Sequence, residues 1–261
     1  MSVSLQFFGV AGYKIVTADG KHIVVDPFLE KNPYTKITVK DLGRVDVLLI
    51  THNAFDHFGD APAVINEYHP VTVCALDVLH NLTNNHGIEP DLLRATIWGM
   101  RMEVEGVQVT PVESHHWSFA RLPDGQLLSG PALGFMIDVG DGHVVYHPGD
   151  TALFSDLKTL GELFKPTIGL IHVSLPAEPG VQMPHPECYH SGELTPYEAL
   201  LASKWLGVKE IVASHYVDPD TKDVKDFLEL VEVEKRLGVY NPNVHVLAPD
   251  SEMTFEPGEK V

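Results

Sequence analysis

The chain has 261 residues, 44% of them hydrophobic and 21% charged, the proportions of an ordinary soluble globular protein that fills one large α/β domain or two small ones. Lysine and arginine number 18 against 36 aspartates and glutamates, a net charge of −18, and no basic cluster interrupts that field, so binding to long nucleic acid is disfavoured. No apolar run reaches the roughly 18 residues of a membrane span, the N-terminus lacks a basic signal-peptide region, and Cys74 and Cys188 make no disulfide framework, which together lead to the expectation of a cytoplasmic protein.

Residues 4–8, 13–17 and 22–25 read as strands, and Ala18-Asp19-Gly20-Lys21 supplies hairpin-turn chemistry. Asp26-Pro27 closes this meander as a turn-forming pair. Residues 30–40 are polar, contain Pro33, and read as a loop able to overhang a site. Residues 45–50, Val-Asp-Val-Leu-Leu-Ile, have the length and β-branched content of a buried strand. Directly after it comes Thr51-His52-Asn53-Ala54-Phe55-Asp56-His57-Phe58-Gly59-Asp60. Open α/β sheets place ligand sites at the carboxyl ends of strands. Two imidazoles and a carboxylate at such an end suit a borderline ion such as zinc. A solvated loop with incidental histidines is the alternative for this stretch alone.

Residues 61–68 read as a short helix with Asp60 as N-cap, 71–74 as a strand with Cys74 as a core thiol, and 77–86 as a helix stopped by Gly87. His69, His80 and His86 have no ligand context. Residues 102–104 and 107–111 pair across Glu105-Gly106 and lead to His115 and His116. Neighbouring side chains point differently, so one of the two is a ligand. Residues 121–131 read as a polar loop, and 132–139 with 143–146 as a hairpin. Tyr146-His147-Pro148-Gly149-Asp150-Thr151 then turns toward a helix near 153–160, with Gly149 letting Asp150 project from a strand end. Residues 168–174 form another strand. The least regular segment, 175–194, carries four prolines with His185, Glu187, Cys188 and His190. A helix over 195–206 has Thr195 as N-cap and Pro196 at its first position. Residues 210–214 deliver His215, 222–237 form an amphipathic helix, and 244–247 with 253–255 are closing strands.

Apolar runs that end in His or Asp thus recur, before His52, His115-His116, Asp150 and His215. Hairpins followed by strand–helix units occur twice, and no Pro/Gly/Ser linker separates them, which fits two mixed sheets with helices outside. There is no Walker loop, no G-x-G-x-x-G after a strand and no G-x-S-x-G elbow, so a nucleophilic serine hydrolase is unsupported.

The stretch from His52 to His57 resembles the H-x-H-x-D-H motif of the metallo-β-lactamase fold hydrolases. Gly149-Asp150-Thr151 is similar to that superfamily's G-D-T segment, and Asp26-Pro27-Phe28 to the D-P-F or D-P-W after its opening hairpin. Ser214-His215-Tyr216 and His116-Trp117-Ser118 resemble the H-Y and H-W-S contexts of the branch containing L-ascorbate-6-phosphate lactonase and N-acyl-phosphatidylethanolamine phospholipase D. The resemblance runs in order from about residue 5 to 254. It implies an α/β (α+β) fold, an αββα four-layer sandwich spanning 1–261 as one domain, and a structural support role for Asp26 near the ligands. The H-W-S context selects His116 over His115.

One departure matters: Ala54 stands where the motif has its second His, and a methyl group binds no metal. The resemblance implies a first metal position that keeps only His52 and His116 with bridging Asp150. It implies a complete second position of Asp56, His57, Asp150 and His215. One or two divalent ions are expected, zinc or manganese by the mixed nitrogen and oxygen donors. The expected activity is metal-dependent hydrolysis of a small-molecule lactone, ester or phosphodiester, with Asp56, Asp150 and His190 as catalytic residues. His190 first and His185 second are expected to compensate for Ala54 as late ligand or general acid, the alternative being that their segment only shapes the pocket. A degenerate metal-binding or ligand-binding protein is the competing reading, and homo-oligomerisation stays open.

Overall fold

The computed structural model describes residues 2–174 and 192–258. In chain order the strands are β1 (Val3–Gly9), β2 (Gly12–Val16), β3 (His22–Val25), β4 (Val47–Leu49), β5 (Val71–Ala75), β6 (Leu93–Thr96), β7 (Met102–Val104), β8 (Val107–Arg121), β9 (Leu127–Gly140), β10 (His143–His147), β11 (Ile168–His172), β12 (Glu210–Ser214), β13 (Asn243–His245) and β14 (Glu252–Phe255). The α-helices are α1 (Phe55–Phe58), α2 (Ala61–Tyr68), α3 (Leu76–His86), α4 (Leu157–Phe164), α5 (Pro196–Leu206) and α6 (Lys222–Arg236).

The strands form two 7-stranded sheets, ordered β14-β1-β2-β3-β4-β5-β6 and β13-β12-β11-β10-β9-β8-β7. Each sheet is antiparallel in its hairpin half and parallel where strand–helix units feed it. Successive strand residues face opposite sides, and the first sheet shows this directly. Val25, Leu49 and Val73 join one buried cluster with Val109, Phe135, Ile137 and Val145 of the second sheet. Their neighbours Val24, Leu48 and Cys74 join a second cluster with Val64 and Ile65 of α2 and Val78 and Leu82 of α3. The first cluster continues into Ala199 and Leu200 of α5 and Phe227 and Val231 of α6. The layers are therefore helix, sheet, sheet, helix. Cys74 is a buried free thiol in the second cluster. Among the described residues no helix is long and apolar enough to cross a membrane.

Three local expectations change. Residues 121–131 are largely not loop: β8 and β9 run on as one long hairpin, with Trp117 opposite Pro131 and Arg121 opposite Leu127. The helix expected near 153–160 starts later, at Leu157; before it, Thr151 Oγ1 accepts from His115 N and Ala152 N donates to His115 O, tying this stretch to β8. Asp60 sits at the start of α2 without capping it; its Oδ2 accepts instead from Leu29 N at 2.7 Å and Glu30 N at 3.0 Å. Thr195 does cap α5, in a reciprocal box with Glu198.

Candidate metal centre

The strand ends meet at Asp150. Gly149 takes φ +61°, and a Cβ there would stand 2.5 Å from Leu133 O, so the turn out of β10 admits no side chain before Asp150. The buried Asp150 carboxylate presents its two oxygens to different imidazoles. Oδ1 lies 3.1 Å from His57 Nε2, 3.2 Å from His172 Nδ1 and 3.5 Å from His215 Nε2. Oδ2 lies 3.7 Å from His52 Nε2 and 3.9 Å from His116 Nε2. Donor atoms fall within 4.8 Å of one another in three sets: His52, His116 and Asp150; Asp56, His57 and His215; Asp150, His172 and His215.

Each side chain reaches this point for a local reason. His52 follows β4 after Ile50 and Thr51, and α1 then carries Asp56 and His57. The β8–β9 register slips between Glu113 and Trp117, and such a bulge re-aims side chains. His115 turns outward, hydrogen-bonded to Glu113 at 2.9 Å and stacked on Phe154 at 4.3 Å. His116 turns toward Asp150, with Nδ1 3.4 Å from Gly192 O. His215 has φ +64°, a costly conformation for a non-glycine residue. It is held there by His215 N–H donating to Val10 O at 2.7 Å, while Val10 N–H donates to Tyr216 O at 3.0 Å.

Outer partners orient the rings. Asp26 is fully buried with φ +47°. Its carboxylate accepts from Thr51 N at 2.8 Å, Thr51 Oγ1 at 2.7 Å and His57 Nδ1 at 2.7 Å. It both turns the chain and leaves His57 Nε2 aimed at Asp150. Glu193 Oε2 lies 3.2 Å from His215 Nδ1. Asp77 accepts from Asn53 Nδ2 at 2.9 Å and from Ser118 Oγ, so α3 fixes the residue beside His52.

Burial, reinforced by neighbouring imidazoles, holds His52 and His172 well below the usual histidine pKa, leaving neutral rings. Burial opposes charge on His57 and His215 too, but Asp150 outweighs it, aided by Asp26 at His57 and Glu193 at His215, and both are raised. Burial would raise Asp150, yet His57 and His215 hold it well below the carboxylate range. Burial pushes Glu193 up to about 8.

A buried polar atom without a partner costs stability. Here His52 Nε2, His57 Nε2, both nitrogens of His172, His215 Nε2 and Asp150 Oδ1 are buried without a hydrogen-bond partner among the described residues. All belong to one cluster of nitrogen and carboxylate donors, which is the donor chemistry a divalent transition ion takes. The residues fit a metal.

Residues 21–216 match the model of the beta-lactamase superfamily domain. A Rubrobacter xylanophilus protein named UPF0173 metal-dependent hydrolase is 32% identical over 254 residues, 95% of either chain. The chain belongs to the UPF0173 metal-dependent hydrolase family of the metallo-β-lactamase superfamily. A UPF0173 relative from Thermococcus onnurineus is 32% identical over 92% of this chain and 97% of its own. Igni18, a metallo hydrolase of Ignicoccus hospitalis, superposes with a TM-score of 0.74 at 25% identity, covering 98% of this chain and 99% of that one.

In this UPF0173 chain two clustered residues escape the sequence reading. His172 lies inside an apolar run that reads on to Ser174, but β11 ends at His172. The rule that found His52 and His215, a histidine where a buried strand stops, would have found it. Glu193 carries no such signal. His185 and His190 lie outside the described residues.

Proposed function

We propose that this chain hydrolyses a small-molecule lactone, ester or phosphodiester at a divalent metal centre built on Asp150. The observation that carries the reading is the set of buried ring nitrogens around Asp150 Oδ1 that have no hydrogen-bond partner among the described residues. His52, Asp56, His57, His116, Asp150 and His215 are the proposed ligands. A divalent ion, when bound there, supplies Lewis acidity and brings the pKa of water toward neutrality. Asp150, with an oxygen toward each imidazole group, also accepts a hydrogen bond from the attacking water and orients it. Asp56 is the partly exposed carboxylate of the set and completes the donors on the solvent side. Asp26 keeps the proton on His57 Nδ1, and the Ser174 carbonyl, 3.4 Å away, does the same at His215 Nδ1. The mixed donors accept zinc or manganese. The His116-Trp117-Ser118 and His215-Tyr216 contexts support a phosphorylated or lactone substrate.

The test is metal content and turnover measured together. The chain is loaded with zinc or manganese and assayed on lactones, esters and phosphodiesters, beside Asp150→Ala and His215→Ala. Both variants are expected to lose tight metal and all turnover. Stoichiometric metal retained in either one would move the site elsewhere. A folded, metal-loaded chain inert across the panel would instead favour a binding protein, the reading that Ala54 keeps open.

A further inference from the structure

His172 is the last residue of β11, and the others, Ile168, Gly169, Leu170 and Ile171, are apolar or small and buried. An imidazole in that position is fully buried, and neither ring nitrogen has a hydrogen-bond partner among the described residues. An apolar side chain would fill the same space without that desolvation cost, so packing alone does not account for a histidine here.

Its direction is informative. Strand pairing puts His172 beside Ser214, one residue before His215. The two rings stack at 4.6 Å between centroids with planes 21° apart. Both therefore turn a nitrogen toward the same oxygen, Asp150 Oδ1, at 3.2 Å and 3.5 Å, and His57 Nε2 reaches it from the other sheet at 3.1 Å. On the opposite side, Oδ2 has only His52 and His116 near it, at 3.7 Å and 3.9 Å. Ala54, at the start of α1, offers nothing to that side. Relative to the donor set that the motif implies, one imidazole is missing beside Oδ2 and one is added beside Oδ1.

We propose that His172 is a direct metal ligand and that the ion on the Oδ1 side, held by His57, His172, His215 and Asp150 with Asp56 nearby, binds first and most tightly. This rests on the metal-centre reading above. Three imidazoles beside carboxylates favour a nitrogen-preferring ion, zinc, cobalt or ferrous iron, over magnesium or calcium. The Oδ2 side, with two imidazoles and a shared carboxylate oxygen, becomes the weaker second position.

The deciding experiment uses the full chain, stripped of metal and given one equivalent of Co2+. X-ray absorption of that sample reads the number of imidazole ligands. Three are expected; two would overturn the assignment of His172 while leaving the metal centre standing. Absence of any imidazole-ligated cobalt would overturn both. His172→Gln is expected to lose one imidazole from the count and at least ~100-fold in Co2+ affinity, beyond what loss of an outer partner costs. An unchanged count and affinity would overturn the proposal. His52→Gln should weaken the second equivalent of Co2+ and spare the first; the reverse order would overturn the ranking of the two positions. If His172→Gln does not fold, judged by circular dichroism of the metal-free protein, the imidazole count of the unmodified chain decides alone.

Discussion

A single buried carboxylate, Asp26, governs which nitrogen of His57 is free. With Thr51 N, Thr51 Oγ1 and His57 Nδ1 all within 2.8 Å, three donors converge on its two oxygens. Asp26→Asn would keep the shape and lose one acceptor, leaving His57 free to flip its tautomer. Metal affinity should fall roughly 10–100-fold, the usual cost of an outer partner; titration showing equal affinity would remove Asp26 from the site. A second residue, Asp46, titrates away from the centre. Burial opposes its charge, but His22 N at 2.8 Å and the Arg44 guanidinium outweigh burial and hold it below the usual value. A depressed folded pKa means stability that is complete above the unfolded value near about 3.9 and is lost as pH falls through the lower folded value. Asp46→Asn should therefore be less stable than the parent at pH 6, and the gap should close during acid denaturation. A gap that widens toward low pH would contradict the sign. At this scale the sequence shows which residues can bind metal more readily than which way they face. His52 and His215 stand just past strand ends that apolar runs announce, whereas His116 and His115 are turned apart by a backbone bulge that hydrophobic periodicity does not mark and only the H-W-S context hints at.

The elements carry the donors, and their limits explain what the sequence hides. The outer part of β8 inverts the usual strand pattern: Trp117 and Phe119 are exposed while Ser118 and Ala120 are buried. Period-two reading puts the large aromatics inside, so the extension of the hairpin looks like loop. The small residues face inward because α3 lies close there, with Ser118 Oγ bonded to Asp77. Gly130, paired with Ser118, faces the same carboxylate, and a Cβ at that position would collide with the Asp77 side chain. Gly130→Ala should cost about 1–3 kcal/mol as an overpacked site, read by denaturant unfolding. A neutral result would show that Asp77 moves freely and does not fix Asn53. By contrast α5 is fully legible, because Thr195, Pro196 and Glu198 form a cap whose parts are local in sequence.

Across the whole molecule, the alternation of hairpins and strand–helix units foretells the four layers, because each unit must bury one face. It does not foretell how the sheets are joined at the site. That join is long-range: Val10, after β1, exchanges backbone hydrogen bonds with His215 and Tyr216, after β12. The donor cluster spans the same seam. His52 and His57 follow β4 of one sheet, while His116, Asp150, His172 and His215 come from the other. An ion held by both groups therefore ties the sheets together in the folded state and has no preformed site in the unfolded chain. Binding to the folded state alone adds about 2.7 kcal/mol when the free ion is at 100 times its Kd. For a chain of this size that corresponds to a rise in melting temperature of roughly 5–10 °C. Stripping the metal with chelator should lower the melting temperature by that amount, and returning zinc should restore it in proportion to the logarithm of its concentration. The loss should be small in Asp150→Ala, which has little tight metal to lose. A melting temperature insensitive to chelator and to added zinc would mean that no ion bridges the seam, and that Val10 and its hydrogen bonds hold the sheets without one.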